Sequence, residues 1–177
     1  LLLSEIQMSL LLTSRESPIK LTKWRQGKEL FDSVKVSGIR KKLPVRPDAF
    51  FEINLTHLES DKTRLAFVVE ADRSTMANKT VMTKYPAYVE YLKQRKHKEF
   101  YGVKWFQVLT IALTEKRAES LRKSAKKHIP ENYQKHFYFA SRGSLNFETP
   151  AGIFEPVFRT AKTDELISFI PTRFLGE

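Results

Sequence analysis

The sequence predicts an α/β protein whose mixed β-sheet is flanked by helices, and three observations carry that reading. Leu65-Ala66-Phe67-Val68-Val69 is apolar on both faces, as a central strand covered on each side would be. The β-forming stretch of residues 45–55 precedes it across a short polar connection, which is the pattern of a hairpin. A helical segment and a second buried strand follow, and a strand–helix–strand step favours parallel pairing within the same sheet.

The elements follow in order. Residues 1–14 place Leu2, Leu3, Ile6, Leu10 and Leu11 on one helical stripe, and Ser17-Pro18 ends that helix. Residues 19–24 read as a strand. Gly27, Gly38 and Pro44 break the signal over 27–43, where Arg40-Lys41-Lys42 forms an exposed basic turn. The hairpin follows as strands over 45–55 and 63–72, joined by a turn over 56–62. Ser74 or Thr75 is positioned to cap a helix over 76–97, with Pro86 kinking it or marking its first regular turn. Residues 103–113 form a buried strand that takes Trp105 and Phe106 into the core. Thr114 caps a helix to about His128, with Ala118, Leu121 and Ala125 facing inward. Residues 137–140 are a short strand, and a strand or short helix is expected at 166–170. The order is α, β, β, β, α, β, α, β, within one domain spanning 1–177.

Composition narrows the function classes. Cysteine is absent, which excludes disulfides, zinc knuckles and cysteine nucleophiles. His57, His97, His128 and His136 show no metal-ligand spacing. No apolar run reaches the length of a membrane span, so a soluble, cytoplasmic protein without a membrane partner is expected. With 31 Lys+Arg against 20 Asp+Glu, the formal charge of +11 favours a polyanionic partner, DNA first.

The chemistry-bearing residues lie on the hairpin. Side chains alternate along a strand, so Arg46, Asp48, Phe50 and Glu52 share one face. Ala66, Val68, Glu70 and Asp72 share a face of the second strand. In an antiparallel pair the start of one strand lies beside the end of the other, which brings Asp48 toward Glu70 and Asp72. Clustered carboxylates repel unless a cation neutralises them, and such oxygen-rich groups suit Mg2+ or Mn2+. Lys79 and Lys84, on the following helix, are candidates to hold a phosphate or the attacking water. Arg40, Lys41, Lys42, Lys93, Arg95, Lys96, Lys98, Lys116, Arg117, Arg122, Lys123, Lys126 and Lys127 are candidate phosphate contacts. Tyr85, Tyr88 and Tyr91 recur at helical spacing; core packing is the expectation, and stacking on single-stranded RNA is the alternative.

Arg46-Pro47-Asp48 on one strand and Glu70 on the next resemble the PD-(D/E)xK core of restriction-endonuclease-like nucleases, over roughly residues 1–113. That resemblance implies Asp48 and Glu70 as ligands of Mg2+ or Mn2+. The lysine expected two residues after the glutamate is replaced by Asp72, and Lys84 stands where a migrated lysine would serve. Arg46-Pro47-Asp48-Ala49, then Glu70-Ala71-Asp72-Arg73-Ser74-Thr75, then Lys84 to Tyr88, with Trp24 and the leucine-rich first helix, also resemble the replication-relaxation family of plasmids and mobile elements. This implies a nuclease-like domain, joined in family members to an upstream winged helix-turn-helix domain that is missing from this chain. It also implies a DNA context, with other replication or transfer proteins as further partners. Two activities follow as expectations: a non-catalytic DNA-associated module, or a Mg2+-dependent endonuclease with Asp48, Glu70, Asp72 and Lys84 as its site.

Overall fold

The computed structural model describes residues 1–59, 63–73 and 78–170, with backbone alone at 78, 79, 81 and 82. A helix α1 (Leu2–Glu16) leads into strand β1 (Ile19–Gln26). A small antiparallel ladder of β2 (Asp32–Val34) and β3 (Leu43–Val45) comes next. The hairpin strands are β4 (Ala49–Leu55) and β5 (Arg64–Asp72), followed by helices α2 (Asn78–Lys93) and α3 (Lys96–Phe100). Then come β6 (Gln107–Ala112), α4 (Glu115–His128), α5 (Glu131–Gln134), β7 (Phe137–Ser141) and the short β8 (Arg159–Thr160).

The main sheet has six strands in the order β1-β4-β5-β6-β7-β8. The β1–β4, β4–β5 and β7–β8 pairs are antiparallel, whereas β5–β6 and β6–β7 are parallel. The predicted α/β class and mixed sheet are therefore present. The two parallel steps cross over through α2 and α4, and both helices pack on one face. There Phe50, Val68, Tyr88, Phe106, Val108, Leu121 and Phe137 are buried together. The opposite face is closed by α1 and the C-terminal segment, where Phe51, Phe67, Phe158 and Phe169 stack edge to face or in parallel. The alternation of β5 assigns its even residues to the helix face and Phe67 and Val69 to the other.

Several boundaries differ from expectation for local reasons. The stretch 45–55 is split: Val45 ends β3 in the small sheet, and β4 begins at Ala49. Pro47 lies in the break, where its missing N–H interrupts a ladder. The helix expected over 76–97 ends at Lys93, because Arg95 takes a left-handed φ of 57° before α3 starts. Pro86 lies inside α2. The strand expected from Val103 starts only at Gln107. Phe106 is core, but Trp105 is 37% exposed, so the indole expected in the interior is at the surface. Near the C-terminus, Ile167 forms an isolated bridge to Phe158 in place of a strand or helix. Thr114 caps α4 as expected, accepting the Arg117 N–H at 3.2 Å, and Ala118, Leu121 and Ala125 are buried. The Ser74 or Thr75 cap and the 60–62 part of the turn lie outside the described residues. No helix among the described residues is long and apolar enough to cross a membrane.

Candidate functional site

The hairpin register decides what the acids meet. Ala49 pairs with Val69 and Phe50 with Val68, so Asp48 stands just beyond the ladder, level with Glu70. Its N–H donates to the Val69 carbonyl at 2.9 Å, and its Oδ2 accepts the Ala71 N–H at 2.8 Å. Asp48 is thus fixed at the strand end while staying exposed.

Glu70 is buried on the helix face and receives two groups from α2. The Tyr88 hydroxyl donates to Oε1, and the Lys84 ammonium pairs with Oε2. Tyr88 and Lys84 are four apart, so one helical face presents both to the same strand residue. Burial pushes the Glu70 pKa up to about 7; Lys84 and Tyr88 oppose that rise, and the Asp48 charge adds to it. The same burial raises the hydroxyls of Tyr85 and Tyr88 above their ordinary range, so both stay protonated donors.

Asp72 points to a different helix. It is buried and accepts from Arg117 Nε at 2.8 Å and from Nη2 at 3.2 Å, in a bidentate arrangement. Parallel pairing explains the meeting: Asp72 lies opposite Ala112, and α4 starts three residues later. Sequence reasoning placed Arg117 among the surface cations and Tyr88 in the core stripe. The signal for Arg117 was available, since it sits in the first turn after a strand parallel to the one bearing Asp72.

The structure therefore brings Asp48 and Glu70 to one strand end with Lys84, and turns Asp72 toward Arg117. Among the described residues, no group of three or more His, Asp or Glu side chains is arranged to hold a metal ion. Mg2+ takes oxygen ligands in near-octahedral order. Here Glu70 is held by Lys84 and Tyr88, and Asp72 by Arg117, so the donor set does not fit that ion as arranged. The Lys79 side chain lies outside the described residues.

The candidate phosphate contacts divide in two. Arg40, Lys41, Lys42, Lys93, Arg95, Lys98, Lys116, Lys123, Lys126 and Lys127 are exposed. Arg122 is buried instead: Glu119 binds it at 2.7 and 2.9 Å, Asp164 pairs with it, and it donates to the Thr160 carbonyl. Lys96 donates to the Ser33 carbonyl at 2.5 Å and pairs with Asp32 at 3.1 Å, which ties α3 to β2. Tyr85, Tyr88 and Tyr91 are all buried, as core packing requires.

No curated protein and no solved structure matches the chain. The replication-relaxation family matches residues 1–104, more than half of the length and all of the hairpin with Lys84 and Tyr88. On that match, the chain belongs to the replication-relaxation family.

Proposed function

We propose that this chain is a DNA-binding module of a plasmid or mobile-element replication or transfer system, built on a nuclease-like hairpin that does not cleave. The observation that carries the reading is the internal pairing of the buried acids. Lys84 and Tyr88 occupy Glu70, and Arg117 occupies Asp72 at the position where a nuclease of the PD-(D/E)xK type would carry its lysine. Acids committed in this way leave the surplus of +11 as the dominant surface property. The exposed lysines of α4 and the tip Arg40-Lys41-Lys42 supply phosphate contacts from the helix side of the sheet.

The test is salt-dependent binding of duplex DNA. Replacing Lys123, Lys126 and Lys127 together by Ala is expected to reduce the slope of log K against log salt by about 2 to 3, near 0.9 per lost contact. An unchanged slope and affinity would remove α4 from the interface, and no binding at low salt by the parent would overturn the reading.

A Mg2+-dependent endonuclease is the second reading, favoured by one observation: Lys84 comes from the helix after the hairpin and reaches Glu70. Nicking of supercoiled plasmid by the parent with Mg2+ or Mn2+, abolished in Glu70→Ala, would establish it over the first.

A further inference from the structure

The far end of the sheet carries a cleft that Asp48, Glu70 and Asp72 do not line. It has a volume of about 400 Å³, within the range of small-ligand sites. Its walls come from the starts of β5 and β6 and from the loop before β6. Trp105 forms one side. The indole stacks on Tyr133 at 6.1 Å with 18° between planes and leans on His136 at 4.8 Å, so two rings hold its orientation. Gly102 lines the same side at φ 71°, and a Cβ there would meet open space. Few side chains would accept that backbone.

The polar groups of the cleft have a definite chemistry. Glu52 is buried yet lines it, with Oε1 accepting from Thr22 Oγ1 at 2.8 Å and Lys23 at 3.6 Å from Oε2. A carboxylate with two oxygens accepts several hydrogen bonds and donates none when ionised. Arg64 and Lys104 stand exposed at the mouth. An aromatic wall, an acceptor floor and a cationic mouth match a planar base with adjacent N–H donors and an attached phosphate. Of the common bases, guanine offers two neighbouring donors on its pairing edge, whereas adenine offers one donor beside an acceptor.

We propose that this cleft binds a guanine nucleotide, the base against Trp105 with its donor edge toward Glu52, and the phosphate between Arg64 and Lys104. The ligand is free or is an unpaired guanine in a single strand; the chemistry recognised is the same. The site is independent of the duplex contacts proposed above, because neither α4 nor the 40–42 tip lines it.

Calorimetric titration of the full chain with guanosine monophosphate, and with an eight-nucleotide single strand containing one guanine, tests this. Saturable binding of either is expected, with the adenine counterpart at least about tenfold weaker. Trp105→Leu is expected to weaken binding by about tenfold or more, as loss of a stacked base does. Glu52→Gln is expected to weaken the guanine ligand and to narrow its advantage over adenine. Binding of the single strand but not of the monophosphate would assign the source to nucleic acid and supports the proposal. No saturable binding of either ligand, equal affinity for adenine, or unchanged affinity in Trp105→Leu would overturn it. The indole is part-exposed, so that variant keeps the test valid even where Glu52→Gln fails to fold.

Discussion

The two ends of β5 solve opposite problems. At its C-terminal end, Glu70 and Asp72 are buried, and each is answered by a side chain from a crossover helix. At its N-terminal end, Ala66 faces a cleft with a part-exposed indole and a buried acid bordering open space. The two places are only about 13 to 20 Å apart along the strand, at roughly 3.3 Å per residue. The difference comes from what lands there. Parallel strands deliver the N-terminal turns of the following helices to their C-terminal ends; the first turn of α4 brings Arg117 and the second turn of α2 brings Lys84. The N-terminal ends receive the 101–106 loop, whose left-handed glycine and projecting indole leave room. Charge is closed in at one end, and aromatic surface is left open at the other.

Breaking the closed end should have the largest effect. Arg117→Ala removes the bidentate donor of the buried Asp72 carboxylate, and loss of one partner of a buried pair typically costs about 3 to 5 kcal/mol. Chemical denaturation is expected to show a loss of about 3 kcal/mol; a loss below about 0.5 kcal/mol would mean that Arg117 is not what compensates Asp72.

Glu70 sharpens the comparison through pH. Its proton leaves the unfolded chain near 4.5 but is held by the folded one to about 7. Between those values the unfolded state binds fewer protons, so this group makes stability fall as pH rises. Glu70→Gln should remove that decline, by up to about 3 kcal/mol across the window at 1.36 kcal/mol per unit. Parallel stability profiles for parent and variant would show that Glu70 does not titrate there.

His136, in ring contact with Trp105, acts with the opposite sign. Burial, helped by Lys135, pushes it down to about 4 from 6.5, so the unfolded chain binds the extra proton between those values. Stability from this group rises with pH over that window and is lost as pH falls through it. His136→Gln should flatten that rise, and by less than the Glu70 effect because the ring is partly solvated. A variant profile identical to the parent would sink this assignment. The smallest expected change is in Trp105→Leu, within about 1 kcal/mol, since a part-exposed ring contributes little burial. A larger loss would show that the Tyr133–Trp105–His136 stack is structural first.

Periodicity made most of the fold legible, because a strand covered on both faces and a capped amphipathic helix leave clear patterns. β5, α4 and the face shared by Glu70 and Asp72 were all readable for that reason. What escaped was set by single residues acting across the chain. Pro47 breaks one expected strand into β3 and β4, and Arg95 ends α2 by adopting φ 57°. Trp105 looked like core because it adjoins apolar Phe106, but the strand starts two residues later. The pairing of Asp72 with Arg117 spans 45 positions, and only the parallel register of β5 and β6 makes them neighbours. Lys96 looked like a surface cation for the same reason, since Asp32 is distant in sequence; Arg122 has a local partner in Glu119, but Asp164 and the Thr160 carbonyl that also engage it are distant.

The excursion between β1 and β4 has a further consequence. Leu30, Val34 and Val45 are sunk in the helix-side core, and Asp32 accepts from Tyr91 at 2.8 Å while pairing with Lys96. Burial disfavours the Asp32 charge, but the Ser33 N–H, Tyr91 and Lys96 outweigh it and hold the carboxyl below its usual range. The root of the arm is therefore fixed before anything touches its tip. Arg40, Lys41 and Lys42 ride on a preorganised mount, and a polyanion meeting them would not have to supply the ordering entropy of a floppy loop.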